Sequence, residues 1–238
     1  MGAIAAALQA CQNRIASACH EAGREEKCAR LVAVSKTFPA SSIREAHAAG
    51  QCIFGESYLQ EALPKLAQLA DLPLEWHFIG PVQSNKSRSI ATHFDWVHSI
   101  AQEKIAQRLS EQRPAHLPPL NVCIQVNVSG EASKSGVSPE TALDLARATA
   151  ALPNLRVRGF MAIPEPGDDV VLQGSRFRRV AELLQTARAS GLDFDTLSMG
   201  MSADLEIAIQ EGATLVRVGT AIFGGRPIIK NNQQEQTA

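Results

Sequence analysis

Eight short apolar runs alternate with longer helical patterns through 238 residues, which predicts an α/β chain closed as a single (β/α)8 TIM-type barrel. Two further observations favour the barrel over an open doubly wound sheet. The first run, Leu31–Lys36 (LVAVSK), shows no polar alternation, as a parallel strand covered on both faces requires. It then turns through Lys36-Thr37-Phe38-Pro39, whereas a doubly wound dinucleotide-binding sheet calls for a glycine-rich turn there.

The chain opens on MGAIAAALQACQNRIASACHEAG, an amphipathic pattern carrying Arg14 and Glu21, which predicts an extra N-terminal helix ahead of the barrel. It lacks the basic start of a signal peptide, and Ala6 stands where a myristoylation signal needs Ser or Thr. The expected strands are Leu31–Lys36, Cys52–Gly55, Trp76–Gly80, Asp95–Ser99, Val122–Asn127, Val157–Ala162, Thr196–Met199 and Leu215–Gly219. The gaps carry helix signals. Ser42-x-x-Glu45 and Ser57-x-x-Gln60 read as capping boxes, and Gly50 as a helix stop. Ser138-Pro139-Glu140 supplies an N-cap with proline at the first helical position, and Gly191 closes the helix that contains Glu182 to Arg188. Arg156 and Arg158 share one face of the sixth strand, where apolar residues are expected, and the sequence offers no account of them. No composition shift divides the chain, so residues 1–238 read as one domain with a core over about 28–226 and a polar, frayed tail at 230–238.

A formal net charge of −1 gives no general attraction to nucleic acid or to an anionic membrane. The only tyrosine is Tyr58, which leaves little for base stacking. Five cysteines, Cys11, Cys19, Cys28, Cys52 and Cys123, form no CxxC and read as reduced thiols of a cytosolic protein. With no apolar stretch long enough to span a bilayer, the expected location is the cytoplasm. The expected state is a monomer, since no exposed apolar seam stands out.

Barrels of this kind place their sites at the C-terminal ends of the strands. Alternation puts Val32, Val34 and Lys36 on one face, so Lys36 projects into the mouth if that face is the inside. An ammonium against apolar walls has a depressed pKa, and the neutral amine can form a Schiff base with a carbonyl. The plainer alternative is a strand-end lysine that snorkels to solvent. The loops after strands seven and eight often hold phosphate in such folds. Here they read Ser198-Met199-Gly200-Met201-Ser202, with Ser202 placed as an N-cap, and Arg217-Val218-Gly219-Thr220, with backbone amides and a hydroxyl for an anion. Turn glycines and caps would read the same way. Arg217 ends strand eight and would donate to an acceptor inside the barrel, or form an ion pair with a neighbouring strand.

The six histidines show no metal-ligand spacing. His77 and His98 could line the mouth or serve as satisfied structural residues. Glu56, Glu61 and Glu75 form no recognisable catalytic pair. Lys134, in SKSG (133–136), is a second lysine in a mouth loop, solvated unless it helps move a ligand away from Lys36.

LVAVSK (31–36), FGESYLQE (54–61), EWHFIGPVQSNKS (75–87), SKSG (133–136), GFMAIP (159–164), LSMGMSADLEIAI (197–209) and VRVGTAIFG (216–224) occur in this order. Together they resemble the pyridoxal phosphate homeostasis protein family (PROSC-type), whose fold is similar to the barrel domain of alanine racemase. The resemblance covers roughly residues 4–226. It implies pyridoxal 5'-phosphate (PLP) as cofactor, held as a Schiff base on Lys36. It further implies phosphate contacts from Ser202, Gly219 and Thr220, with Gly200 and Met201 beside them, and Arg217 facing the pyridine nitrogen. One departure is Ser57, where the family usually has Asn. If that side chain touches the cofactor, the contact here is shorter or water-mediated.

Three functions follow from these readings. The first is a PLP carrier or buffer in vitamin B6 homeostasis, delivering PLP to apoenzymes and lacking robust catalysis. A cationic donor at the pyridine nitrogen weakens the ring as an electron sink, which favours it. The second is an amino-acid racemase, which needs acid/base groups on both faces of the cofactor. The related racemases draw one from a separate C-terminal β-domain that this sequence is not expected to supply. The third is a Schiff-base aldolase, for which no general acid/base stands out near the lysine.

Overall fold

The computed structural model describes residues 2–130, 135–165, 167 and 169–225. The polar tail and Lys134 lie outside the described residues. Helix α1 (Ala3–Glu21) leads into β1 (Arg30–Val34), α2 (Ala40–Ala48), β2 (Ile53–Glu56), α3 (Leu59–Gln68), β3 (Glu75–Phe78) and α4 (Ser87–His93). Then follow β4 (Trp96–Ile100), α5 (Glu103–Gln112), β5 (Leu120–Val126), α6 (Pro139–Ala150) and β6 (Leu155–Ala162). The described chain closes with α7 (Val170–Ala189), β7 (Thr196–Ser198), α8 (Leu205–Gln210), β8 (Leu215–Val218) and α9 (Thr220–Phe223). The strands pair in parallel in chain order, and β8 returns to β1, closing the barrel. All eight expected strands are present. The first ends at Val34, so Lys36 stands in the turn just beyond it.

The reason the strands read as unbroken apolar runs is now visible. Val32, Ile53, Trp96, Cys123, Met161 and Leu215 pack together within the barrel. Their chain neighbours, such as Ala33, Phe54, Val97 and Phe160, belong to the larger core between sheet and helices. Both faces of each strand are buried, so apolar residues occupy both phases of the two-residue repeat.

Arg158 has its explanation in the register. Val122 pairs with Val157 but Cys123 pairs with Gly159, so Arg158 is the extra residue of a β-bulge. Its guanidinium turns into the barrel floor. There it grips both carboxylate oxygens of Asp195, donates to Asn121 Oδ1 at 3.1 Å and lies 4.8 Å from the centre of the Trp96 ring. Arg156 is exposed.

Three expected caps are not formed. Helix α2 starts at Ala40 with Pro39 at its cap position, so Ser42 lies inside it and the Ser42–Glu45 box does not form. Proline fixes its own φ and favours an immediate helix start, which brings the start forward. Tyr58, one residue beyond Ser57, takes the cap position of α3. Asp204 does so at α8 in place of Ser202. Gly50, Gly191 and the Ser138-Pro139 pair stand where expected.

Candidate functional site

At the mouth, β1 hands over to a tightly held turn. Ser35 continues the ladder by donating its N–H to Gly55 O at 3.0 Å. Its hydroxyl donates to Glu56 Oε1 at 2.7 Å, and Lys65 Nζ donates to Ser35 O at 2.9 Å and to Glu56 Oε1 at 2.7 Å. This buried ion pair anchors Ser35 towards the helix layer, which leaves the half-buried Lys36 on the barrel side. Burial pushes the Glu56 carboxyl up, opposed by Lys65 and Ser35. Thr37 follows with φ 70°, a left-handed conformation that costs a β-branched residue energy. Its amide donates to Glu61 Oε2 at 3.1 Å, and Phe38 packs on Phe223 with ring centres 5.2 Å apart. The three glutamates singled out from sequence thus serve structure, Glu75 through His77 and Arg30.

The two expected loops meet this turn. Register pairs Val32 with Arg217 and Ala33 with Val218, so Lys36 adjoins the Gly219–Thr220 corner. A Cβ on Gly219 would lie 3.1 Å from Val34 O and 3.3 Å from Val34 Cβ, so a larger residue would press that corner away from β1 by a few tenths of an ångström. Gly200 combines φ 93° with a notional Cβ 2.6 Å from Ala208 Cβ, and its carbonyl accepts from Arg217 N at 2.9 Å. Met201 N donates to Asp204 Oδ1 at 2.6 Å, which pins the loop. Ser202 is half-buried, with its carbonyl accepting from Arg14 Nη2 at 3.1 Å. Arg14 is itself held by Glu206 at 2.8 and 3.0 Å. Thr220 is exposed on the rim. The structure therefore gathers Lys36, Gly200, Met201, Ser202, Gly219 and Thr220 around one side of the mouth.

Arg217 lies beneath them, 4% exposed. Nη1 donates to Ser198 Oγ at 2.5 Å and Nη2 to Ala162 O at 2.9 Å, so both acceptors are neutral. Burial lowers its pKa to about 10, partly offset by the Asp204 carboxylate, and it stays a cation at neutral pH. His77 and His98 do not line the mouth. Both sit fully buried in the middle of the barrel, because β3 and β4 place them one layer below the rim. Burial depresses both pKa values, His98 well below the usual histidine range. Ser198, which joins His98 to Arg217, was missed as a partner. The signal was available, since a serine ends an otherwise apolar strand beside an inward arginine.

A fully closed barrel with a rim lysine, two glycine corners and a buried arginine defines a class. Residues 7–227 match the family model described as alanine racemase, N-terminal domain. Alanine racemase from Corynebacterium glutamicum shares that fold at TM-score 0.67 and 20% identity, over 94% of this chain and 63% of that one. A relative from Pseudomonas aeruginosa, described as a pyridoxal phosphate homeostasis protein, is 62% identical over 226 residues, 95% of this chain and 97% of the relative. The structure of PipY from Synechococcus elongatus PCC7942 with PLP bound matches at TM-score 0.76 and 38% identity, over 90% of this chain and 99% of that chain. The chain belongs to the pyridoxal phosphate homeostasis protein family.

Proposed function

We propose that this protein is a single barrel unit that holds PLP as a Schiff base on Lys36 and acts in intracellular PLP homeostasis, by buffering or delivery, without robust catalysis. The observation that carries the reading is the pairing of a half-buried rim lysine with a buried arginine cation one layer below it. The mouth fits a phosphorylated pyridine aldehyde. Gly219 and Gly200 clear the backbone for the phosphate, with Ser202 and Thr220 as hydroxyl donors and Met201 beside them. The Lys36 amine condenses with the aldehyde and releases water.

Arg217 argues for holding over catalysis. PLP supplies an electron sink when its pyridine nitrogen is protonated, and a guanidinium aimed at that nitrogen donates to its lone pair and disfavours protonation. PipY with bound PLP supports the cofactor, and the names of the relatives support the role. Recipient apoenzymes and a cytoplasmic, monomeric state belong to the same reading.

The test is the visible spectrum of PLP-treated protein before and after borohydride, beside Lys36→Ala. A yellow band that borohydride fixes on Lys36, and that the variant lacks, is expected. A protein that stays colourless with PLP overturns the reading. Rapid interconversion of D- and L-alanine by the loaded protein would instead favour a racemase.

A further inference from the structure

An unbroken row of hydrogen bonds runs down the inside of the barrel from Arg217 to the floor. Arg217 Nη1 meets Ser198 Oγ at 2.5 Å, and Ser198 Oγ meets His98 Nδ1 at 2.7 Å. His98 Nε2 meets His77 Nδ1 at 2.8 Å, and His77 Nε2 meets Glu75 Oε1 at 2.7 Å. The order of protons in this row is fixed at both ends. A guanidinium only donates, and an ionised carboxylate only accepts. Ser198 therefore accepts from Arg217 and gives its own proton to His98 Nδ1. His98 then carries its proton on Nε2 and donates to His77, whose proton is likewise on Nε2 and goes to Glu75. With both rings neutral, this is the one order that satisfies all four contacts.

In this order, a second proton on His77 would meet the Nε2–H of His98 face to face, and one on His98 would meet the Ser198 hydroxyl proton. The surroundings oppose this too. His98 faces Arg217 and the His77 ring, and desolvation works in the same direction. At His77, burial and then Arg30 oppose a second proton and together outweigh the pull of Glu75 and Asp95, and Trp96 stacks on the ring at 5.1 Å. Four contacts linking five side chains are more than a core needs to satisfy a serine. Their common effect is to fix where Ser198 puts its lone pair, and so where Arg217 points.

We propose that His77 and His98 are positioning residues for Arg217, which through Ser198 hold its guanidinium aimed at the ring nitrogen of the cofactor. The proposal rests on the reading of the mouth as a PLP site. It makes a row of buried residues below the mouth a determinant of how the bound ring titrates.

The experiment compares parent, Ser198→Ala, His98→Phe and His98→Asn. In the PLP-free proteins, nitrogen-detected histidine NMR reads the tautomers. In the loaded proteins, the visible band is titrated with pH. The parent is expected to show both histidines as neutral Nε2–H tautomers at a pH where an ordinary histidine is already protonated. H98F and S198A are expected to move the midpoint of the band by about one pH unit or more. H98N, whose Oδ1 can accept from Ser198 as Nδ1 does, should keep the parent midpoint even where its melting temperature falls. Should H98F fail to fold, S198A and H98N carry the comparison. Superposing titrations for the parent and S198A overturn the proposal, as does a shift in H98N as large as that in S198A. A doubly protonated ring or an Nδ1–H tautomer in the parent overturns the proton order. A parent that takes up no PLP overturns the underlying reading, and the proposal with it.

Discussion

The two ends of this barrel are built from the same eight strands and, inside the barrel, treat charge in opposite ways, while the ion pairs of the mouth, Lys65 with Glu56 and Arg14 with Glu206, lie outside it. At the floor, cations and carboxylates meet one another. Arg158 grips Asp195, Arg30 meets Glu75 at 3.3 Å, and Asp95 accepts the Trp76 amide at 2.8 Å. At the mouth, glycine corners and a strained turn surround Lys36, and the buried cation Arg217 donates, among the described residues, to two neutral acceptors. Charges that cancel one another make a plug. A cation surrounded by dipoles keeps its charge available for an anionic or lone-pair ligand. Conserving the fold and binding a ligand are thus assigned to opposite ends, as barrel architecture generally allows.

Exchanging the two roles by mutation is the way to break that division. Lys36→Ala should weaken PLP binding roughly a hundredfold or more while moving stability by less than about 0.5 kcal/mol, read by equilibrium dialysis and urea melts. Gly200→Ala should disturb both properties, costing about 1–3 kcal/mol through the clash with Ala208 and the positive φ, and loosening the phosphate corner. Arg158→Leu is the mirror image of the lysine variant. It should cost about 1–3 kcal/mol and leave PLP affinity at the parent value. An affinity loss there comparable to that of Lys36→Ala would remove the division.

The smallest effect is one of sign. Glu75, at the floor, is held below its ordinary value of 4.5 by the His77 hydrogen bond. Its contribution is present above that value and is lost as pH falls through the lowered one. Glu56, towards the mouth, is raised by burial from the same 4.5. Its native state binds the proton more tightly, so stability falls as pH rises from there through the raised value. Melts of Glu75→Gln should flatten the acid limb and melts of Glu56→Gln the opposite slope. A flattening of the same limb by both would reject this assignment.

Local pattern was enough for the strands, because burial on both faces leaves apolar runs that nothing else in the chain imitates. It also put Lys36, Arg217 and the two glycine corners in their places, since each follows from position along a strand. What escaped depends on pairs far apart in sequence. Arg158 looked misplaced because its partner Asp195 lies 37 residues on and because a bulge shifts the phase between Val157 and Gly159. His77 and His98 leave both a rim and a structural place open in the sequence, because alternation gives a face but not a depth, and their full burial decides for the structural one. The caps at Ser42, Ser57 and Ser202 miss by three, one and two residues, where turn geometry outweighs a favourable side chain.

The clamp between Arg14 and Glu206 has a bearing on how the chain comes to be folded at all. Helix α1 packs against α8 and α9, and its arginine holds both Glu206 and the carbonyl of Ser202. During synthesis α1 emerges well before α8 and α9, so its contacts with them, such as that of Arg14 with Glu206 192 residues on, form late. Barrel closure, β1 against β8, waits for the same moment. Contacts of such long sequence separation slow folding and leave incomplete sheets exposed. The site corner at Ser202 is therefore assembled only on completion of the barrel, and a nascent chain has no mouth with which to capture a reactive aldehyde prematurely.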